Sequence, residues 1–444
     1  MNIENLKALL RENGIVGAGG AGFPAYAKLD KRADTLILNC AECEPLLRLH
    51  RQVLKMFTYE ILSTLDLISK AVEAENVYIG IKGSYKRTVE AVKAELAAFD
   101  NMKLCTLPEV YPAGDEVVLT YEATGRVVPA GDIPLSVGVT VLNVETVYNI
   151  YKAINGKPVT HKFVTITGEV KNPVTVYAPI GTSVNELIQF AGGVTTDDYT
   201  LIMGGPMMGS IGTLSQPVTK TTNAVLVLPT SLPLVQKKLG NSNIDIRRAM
   251  SSCCQCSYCT SLCPRHLLGH PIDPSAFMLA ASSNTTSDVS PYLNSTYCSG
   301  CGLCELYSCV QNLSPRSLLS ECKNGLRKAG LRPEKPITSE VDPSRRYRMI
   351  PLSRLRTRLG LDKYNVSAPV TEFDYVPKKL TVLLSQHIGA PAKAVVALGD
   401  RVVEGQIIAK AADNALSVNI HASMNGKIIQ ITDKKIVIET EDNK

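Results

Sequence analysis

Residues 253–264 read CCQCSYCTSLCP, and residues 298–309 read CSGCGLCELYSC. In each stretch, three cysteines are spaced by two residues and a fourth follows after a longer gap. The eight cysteines are Cys253, Cys256, Cys259 and Cys263, then Cys298, Cys301, Cys304 and Cys309. A chain that loops tightly around an iron–sulfur cube turns every third side chain inward, so each triplet matches three corners of a cube. The sequence therefore predicts two neighbouring [4Fe–4S] clusters.

The fourth cysteine of each motif decides how the clusters are shared. In bacterial two-cluster ferredoxins, the cysteine that precedes a proline ligates the other cluster. Cys263 precedes Pro264, so we expect Cys263 to complete the second triplet and Cys309 to complete the first. The second motif departs from this pattern, because four residues precede Cys309 and Val310 replaces the proline. The cluster type at the second motif therefore stays open.

Zinc and disulfides are the alternatives for these cysteines. Zinc sites use paired C-x2-C knuckles rather than triplets, and disulfides require an oxidising compartment. We assign no role to Cys254 or Cys322, and we expect His266 and His270 to be capping or surface residues. Cys40 and Cys43, a further C-x2-C pair, are predicted to be packing residues.

Length and composition set wider bounds. A chain of 444 residues predicts about three domains. No window approaches the roughly 18 apolar residues of a membrane-spanning helix, and the polar start lacks a signal-peptide pattern, so we expect a cytoplasmic protein without a transmembrane segment. The net charge is +6, with a basic stretch at 344–358. Without tryptophan or a nucleic-acid motif, this stretch favours a solvated linker whose arginines pair with carboxylates, and no nucleic-acid partner is expected.

The amino-terminal segment carries a second candidate site. Residues 17–24, GAGGAGFP, bring backbone N–H groups close together near a helix start, as in an anion nest, although a tight turn is an equal alternative. The buried strand DTLILN at 34–39 delivers Asn39, Glu42 and Glu44 at its carboxyl end, where ligands of open α/β sheets bind. A polar loop with a helix cap is the other interpretation. VYIGIKG at 77–83 and the helical TVEAVKAELAAF after it support a parallel sheet.

Four motifs occur in an order that resembles the flavin- and NADH-binding subunit of respiratory complex I. They are GAGGAGFPAYAKL from residue 17, NCAECEP from residue 39, the Gly114-Asp115-Glu116 turn, and NVET from residue 143. The AECEP signature is more similar still to the RnfC subunit family, and the resemblance covers nearly the whole chain. It implies FMN at Gly17, Gly19, Gly20, Gly22, Asn39 and Asn143. It also implies that Glu42, Glu44, Asp115 and Glu116 surround NADH, with Phe23 as a stacking partner.

One departure from the complex I pattern lies in the glycine loop. That family has an arginine or lysine where this chain has Ala18, so a counter-charge for the flavin phosphate is missing from the loop. The four acidic residues predict a preference for NADH over NADPH, because they repel an added 2′-phosphate.

Two further modules flank the cysteine motifs. Residues 161–228 read as a hairpin, a capped helix at 182–190 and a return strand, and resemble the soluble-ligand-binding β-grasp (SLBB) module. Cobalamin is a candidate ligand in that class. A spacer is the favoured interpretation here, with Met203, Met207 and Met208 in a core or contact surface. Near the carboxyl end, GDRVVEGQ at 399–406 and HASMNGKI at 421–428 resemble the two halves of a lipoyl-type barrel sandwich. Its tip, Asp413 to Leu416, has no lysine for a carrier group.

We predict a multidomain fold of mixed α/β and α+β class. The predicted domains are a Rossmann-like FMN/NADH domain at 1–158, an SLBB β-grasp at 159–235, an α-helical ferredoxin-type two-cluster domain at 240–330, a basic linker at 331–375, and a carboxyl-terminal barrel-sandwich hybrid at 376–444. In RnfC the barrel module lies at the amino end. Its position here resembles the cobalamin reductases of propanediol-utilisation microcompartments.

This resemblance implies an NADH-dependent oxidoreductase that passes electrons through flavin and clusters to cobalamin. Its expected partners are NADH, a corrinoid or corrinoid enzyme, and microcompartment shell proteins, and its expected location narrows from the cytoplasm to the interior of a microcompartment. Two alternatives stay open: an RnfC-like electron-input component of a membrane complex, and a non-catalytic electron relay or corrinoid-binding scaffold.

Overall fold

A computed structural model of the chain describes residues 1–334 and 340–441. The predicted linker at 331–375 includes residues 335–339, and the predicted barrel domain includes residues 442–444. These eight positions lie outside the described residues.

The amino-terminal domain is built on a four-stranded parallel sheet in the order β3-β2-β1-β5. Alternate residues of the central strand enter two separate cores: Leu36 and Leu38 pack on one face and Ile37 on the other. Parallel strands covered on both faces read as continuous apolar runs, as DTLILN and VYIGIKG do. The strands are β1 (Thr35–Cys40), β2 (Asn76–Lys82), β3 (Met102–Leu107), the short β4 (Val110–Tyr111) and β5 (Val139–Asn143). The helices are α1 (Ile3–Glu12), α2 (Leu49–Met56), α3 (Thr58–Val72), α4 (Lys86–Leu96), α5 (Glu116–Thr124) and α6 (Val144–Ile154).

The next unit is a mixed sheet with one helix. Ser183 and Glu186 form a reciprocal capping box at the start of that helix, which fixes its first turn. The strands are β6 (His161–Gly168), β7 (Val174–Pro179), β8 (Thr200–Met203), β9 (Ser210–Ile211) and β10 (Ala224–Leu228), and the helix is α7 (Val184–Phe190).

Residues 233–334, all of them described, form helices and turns without a strand. A small core around Phe277, Met278 and Leu319 holds this domain together. The helices are α8 (Pro233–Lys238), α9 (Ser242–Ser252), α10 (Tyr258–Ser261), α11 (Pro274–Ser283), α12 (Ser290–Leu293) and α13 (Pro315–Lys328). A single π-helical turn, Cys304–Ser308, follows the second triplet.

The segment predicted as a linker is tied to the other domains. Strand β11 (Ile350–Pro351) pairs antiparallel with β4, helix α14 (Leu352–Arg358) follows it, and strand β12 (Val370–Thr371) pairs in parallel with β7. Two of its arginines form ion pairs with carboxylates, Arg345 with Glu122 and Arg356 with Asp362. The segment therefore pairs with strands of the first two domains and is not a free linker.

The carboxyl-terminal domain consists of two small sheets, β13-β19-β18-β15 and β14-β16-β17. Its hairpin tip lies against the first domain, because the Arg11 guanidinium donates to the carbonyl of Ala412 and the Arg11 carbonyl accepts from Asn419 N–H. The strands are β13 (Lys379–Leu383), β14 (Lys393–Ala394), β15 (Arg401–Val402), β16 (Ile407–Lys410), β17 (Ile420–His421), β18 (Gly426–Ile431) and β19 (Lys435–Thr440). Within the described residues, no helix is long and apolar enough to cross a membrane.

Candidate functional site

The glycine loop lies over the start of α6, at the carboxyl edge of the parallel sheet. Gly17 N–H donates to the Phe23 carbonyl at 2.8 Å, and Ala18 N–H donates to the Thr146 hydroxyl at 2.9 Å. A Cβ atom added to Gly19 would come within 2.4 Å of Asn143 Nδ2, so the loop and the helix start are in close contact. Gly19 and Gly20 are exposed. Glycine loops beside a helix amino terminus are a common anion-binding arrangement in other proteins.

One side of the glycine loop is closed by the other domains. Gly22 has a φ of +76°, and a Cβ atom there would lie 2.9 Å from Thr221 and 3.0 Å from the backbone of His387. Phe23, next to it, is half-buried. The β-grasp unit and the carboxyl-terminal domain thus both contact the loop, and a side chain at Gly22 has no room.

Two asparagines fix the backbone at the ends of β1 and β5. Asn39 Nδ2 donates to the carbonyl of Gly114 at 2.9 Å, which ties the end of β1 to the turn before α5. Asn143 Oδ1 accepts from Glu145 N–H and caps α6, while its Nδ2 lies 3.3 Å from Nε2 of His50. Burial lowers the pKa of His50 to about 3, so the ring is neutral. Nothing in the sequence marks His50, which lies within an ordinary helical pattern.

Glu42 and Glu44 both accept hydrogen bonds from backbone amides. The Glu42 carboxylate accepts from N–H of His50 at 2.8 Å, at the start of α2. The Glu44 carboxylate accepts from N–H of Met207 and Met208, each at 2.8 Å, in the β-grasp unit. Burial raises the pKa of both carboxyl groups.

Asp115 and Glu116 each form an ion pair. Asp115 caps α5 and pairs with Arg265 at 2.8 Å, just after the first cysteine motif. Glu116 pairs with Lys28 at 2.6 Å. The four acidic residues predicted around NADH therefore have different partners: α2, the β-grasp unit, the helical domain and Lys28. These contacts tie the four side chains to four different parts of the structure.

A lysine missed by the sequence analysis lies at the same edge. Lys82 ends β2, and its side chain is fully buried. Among the described residues its Nζ has no hydrogen-bond partner, and the nearest carboxylate oxygen, of Glu109, is 4.0 Å away. Burial lowers its pKa. A charged residue that ends an apolar strand was the available signal, because the carboxyl ends of parallel strands face the site.

The eight cysteines form two groups of four. Cys253, Cys256, Cys259 and Cys309 line one cavity together with Cys254, to which the sequence assigned no role, and with apolar residues such as Met278 and Leu313. In the other group, burial raises the pKa of Cys301, and the nearby thiols of Cys263 and Cys298 raise it further. Burial is also the main cause of the raised pKa of Cys304, and the thiols of Cys298, Cys301 and Cys263 add to it. Each group therefore combines one triplet with the fourth cysteine of the other motif.

Among the described residues, no three His, Cys, Asp or Glu side chains converge as ligands of one ion would. A [4Fe–4S] cube takes its four thiolates on separate irons, so its ligands lie further apart. Burial raises the pKa of Cys259 to about 12 and that of Cys263 to about 11, and a bound metal ion would favour the thiolate form of both.

The remaining cysteines and histidines have structural surroundings. Cys254 is exposed, and Cys322 packs at the edge of the helical core. His266 Nδ1 lies 2.9 Å from the carbonyl of Ile272, and His270 Nε2 lies 2.9 Å from the carbonyl of Val128. Cys40 is buried, as a packing residue would be.

The two cysteine groups differ in their surroundings. Cys263 and Cys304 are buried, and the Tyr111 hydroxyl from the α/β domain donates to the carbonyl of Cys301 at 2.6 Å. In the other group Cys256 is exposed, and its cavity is lined only by residues 253–315. One group therefore adjoins the α/β domain and the other adjoins solvent.

Proteins of known name are similar in sequence to nearly the whole chain. Two proteins named Cobalamin reductase PduS, from Citrobacter freundii and Salmonella typhimurium, are 41% and 39% identical to the chain. The matches cover 98% and 99% of this chain and 96% and 97% of those proteins. The chain belongs to the PduS cobalamin reductase family.

Family models confirm the multidomain architecture of this PduS family member. The Nuo51 FMN-binding domain matches residues 10–152, the SLBB domain 163–210, the 4Fe-4S dicluster domain 252–314, and the RnfC barrel sandwich hybrid domain 363–443. The last match begins before the predicted boundary at 376 and includes β12.

Similarity beyond the PduS family is partial. One component of an ion-translocating oxidoreductase complex, from Erwinia tasmaniensis, is 34% identical over 59% of this chain, but over only 32% of that protein. A crystal structure of an NAD+-reducing [NiFe]-hydrogenase in the H2-reduced state shares the fold, with a TM-score of 0.51 and 18% identity over 75% of this chain and 64% of that one.

Proposed function

We propose that this chain is an NADH-dependent flavin and iron–sulfur oxidoreductase that reduces cobalamin. The observation that carries the proposal is the contact between Tyr111 and Cys301, which joins the edge of the parallel sheet to a group of four cysteines. The names of the full-length relatives supply the acceptor.

The FMN site would be formed by Gly17, Gly19, Gly20, Gly22, Asn39 and Asn143, with Phe23 beside the ring. The exposed amides of the glycine loop and the start of α6 would hold the phosphate, because both present N–H groups. Ala18 is buried and brings no charge, so these dipoles replace the cation that complex I has in the loop. When bound, the flavin would accept a hydride from NADH and release two electrons singly to two [4Fe–4S] clusters.

The NADH side would be bordered by Glu42, Glu44, Asp115 and Glu116. The Glu116 side chain is 45% exposed, against 12% for Asp115 and 2% for Glu42. Glu116 is therefore the best placed of these to accept from ribose hydroxyls. The buried ammonium of Lys82 would offset the negative charge gathered at this edge.

Crossed ligation of the clusters is supported by the grouping of the thiols. Cys253, Cys256, Cys259 and Cys309 would hold one cluster. Cys263, Cys298, Cys301 and Cys304 would hold the other. A cytoplasmic location, inside a microcompartment and near its shell proteins, is part of the same proposal and rests on the resemblance.

The second candidate is an electron-input role like that of RnfC. The partial match to a component of an ion-translocating complex favours it. The near-complete match to PduS proteins and the carboxyl-terminal position of the barrel domain favour cobalamin reduction instead.

Anaerobic reconstitution with FMN, iron and sulfide tests the proposal. The loaded protein is expected to reduce hydroxocobalamin with NADH, and protein without FMN is expected not to. Loaded protein that oxidises NADH with an artificial acceptor but leaves cobalamin unreduced would favour the electron-input role. Failure to oxidise NADH with any acceptor would refute both.

A further inference from the structure

The exposure of the two cysteine groups indicates where the electron acceptor binds. The group of Cys263, Cys298, Cys301 and Cys304 is covered by Tyr111 and Ala130 of the α/β domain. The group of Cys253, Cys256, Cys259 and Cys309 has no such cover among the described residues, and Cys256 is exposed. Among the described residues, the group that contains Cys256 is the more exposed of the two, so an acceptor that arrives from solution can approach it more closely.

A polar cleft of about 280 Å³ lies beside the exposed group. Gln255 and Ser275 line both this cleft and the cavity of the exposed cysteines, so the two spaces share a wall. The opposite wall is the segment 342–348, which is held in place by a hydrogen bond from Asp342 N–H to the carbonyl of Leu267 at 3.0 Å.

The cleft is lined by both hydrogen-bond donors and carboxylates. Arg348 and His266 supply donors, while Asp273 and Asp342 supply carboxylates. The Arg348 guanidinium donates to the Ser344 hydroxyl at 2.8 Å and to the Ser261 carbonyl at 3.5 Å, and within residues 1–334 and 340–441 it forms no ion pair with a carboxylate. Part of its donor capacity is therefore open to a ligand. The two carboxylates disfavour a free phosphate or a nucleotide.

Carboxamides match such a lining, because each one both donates and accepts hydrogen bonds. The rim of a corrin ring carries several carboxamide arms. We infer that the cleft between residues 255–275 and the segment 342–348 binds the carboxamide rim of the corrinoid acceptor. The volume suits one or two arms, with the ring lying across the mouth towards Cys256. This inference rests on the proposed function for the identity of the acceptor.

The methionines of the β-grasp unit do not form such a surface. Met203 and Met207 belong to hydrophobic cores, and only Met208 of this group is exposed. The methionines therefore serve packing, as the sequence analysis favoured, and the corrin is assigned to the cleft.

The test is equilibrium dialysis of hydroxocobalamin against the reconstituted full-length protein. Arg348→Ala removes the open donor, and Ala276→Phe fills part of the cleft at a residue that does not line the cysteine cavity. Each is expected to raise the Kd about tenfold, the effect of losing about 1.4 kcal/mol. Arg346→Ala is the matched control, because Arg346 is exposed and stacks on Tyr347 outside the cleft. Iron content and NADH-driven ferricyanide reduction are expected to stay at the wild-type level in all three variants.

The outcomes separate this inference from the proposed function. Unchanged corrin binding in both cleft variants, or no binding to the wild-type protein, would overturn the inference. If the wild-type protein reduces cobalamin while both cleft variants bind it normally, only the cleft assignment fails. If it binds cobalamin through the cleft but does not reduce it with NADH, only the proposed function fails.

Discussion

The Tyr111 hydroxyl donates a 2.6 Å hydrogen bond to the carbonyl oxygen of Cys301. Tyr111 ends β4, three residues before Gly114, and Cys301 is the middle cysteine of the second triplet. The same tyrosine lies in a hydrophobic core that includes Met207 and Leu303. A single side chain therefore contacts the α/β edge, the β-grasp unit and one cysteine group.

Replacing Tyr111 by Phe is expected to loosen this junction. The change leaves a buried carbonyl unpaired, which costs about 1–2 kcal/mol and lowers Tm by several degrees. NADH-driven bleaching of cluster absorbance is expected to slow, while ferricyanide reduction is retained. Tyr292→Phe is the control, because that hydroxyl also donates to a backbone carbonyl, of Thr285, but within the helical domain. Equal slowing in the two variants would contradict a special role for Tyr111.

Gly20→Val is expected to abolish FMN retention. No heavy atom lies within 4 Å of a Cβ placed at Gly20, so the fold itself tolerates the side chain. The added bulk would occupy the space above the loop amides where the phosphate approaches. Flavin content after anaerobic desalting measures the effect. Gly325→Val, at another open position, controls for the substitution. If Gly20→Val protein keeps its flavin, the loop is not the phosphate site.

NADH is expected to be used at least about tenfold better than NADPH, which corresponds to about 1.4 kcal/mol. The carboxylates at the sheet edge repel a 2′-phosphate. Glu116→Gln is expected to reduce the preference for NADH over NADPH, because the Glu116 side chain is more exposed than those of Asp115 and Glu42. The ratio of kcat/KM for the two nucleotides is the measurement. Equal efficiency of the wild-type protein with both would refute the acidic assignment.

If the fourth cysteine of each motif ligates the cluster of the other motif, its removal is expected to damage that other cluster. Cys309→Ala is expected to degrade the cluster of the first triplet to a three-iron form, and Cys263→Ala the cluster of the second. The loaded wild-type protein is expected to hold about eight irons. Iron analysis with EPR of both variants distinguishes the models. Damage confined to the cluster of the substituted cysteine's own triplet would mean local ligation.

The burial of His50 is expected to lower the free energy of unfolding as the pH falls below 6.5. Burial lowers its pKa to about 3 from an ordinary value near 6.5, so below pH 6.5 the unfolded chain takes up a proton that the folded chain refuses. This loss amounts to about 1.4 kcal/mol per pH unit, or about 2 kcal/mol at pH 5, and it ends near pH 3. His50→Gln removes it. Urea unfolding of both proteins without cofactors, at pH 7.5 and pH 5, is expected to show a smaller drop for the variant. The same drop in both would exclude His50 as the cause.

Local patterns were sufficient for much of the fold. The apolar run at 34–39 predicted a buried strand, and the run at 77–83 with the helix after it supported a parallel sheet. In the structure these two strands, β1 and β2, pair in parallel. Parallel pairing in turn places Asn39 and Asn143 at one edge, and the structure aligns these two residues in register. Cysteine spacing likewise identified the helical domain, which the dicluster family model matches.

Contacts between distant segments were not predictable. Glu44 reaches amides more than 160 residues away, and nothing near it in the sequence signals Met207 or Met208. The basic stretch read as a linker, because strands as short as β11 and β12 leave no periodic pattern. Whether the Arg348 guanidinium has a carboxylate partner depends on which residues the fold brings near it, so the sequence did not reveal its unused N–H groups.

The closure of the glycine loop by His387 has a consequence for biosynthesis. Gly22 and His387 are more than 360 residues apart, and ribosomes add roughly 5–20 residues per second. The loop therefore leaves the ribosome tens of seconds before the segment that closes one side of it. During that interval the first domain presents its amides to the cell without this cover, and a flavin entering then displaces neither Gln386 nor His387. Strand β12 also completes the β-grasp sheet late in translation. Synthesis of the final quarter of the chain thus covers one side of the glycine loop, which is the proposed flavin site.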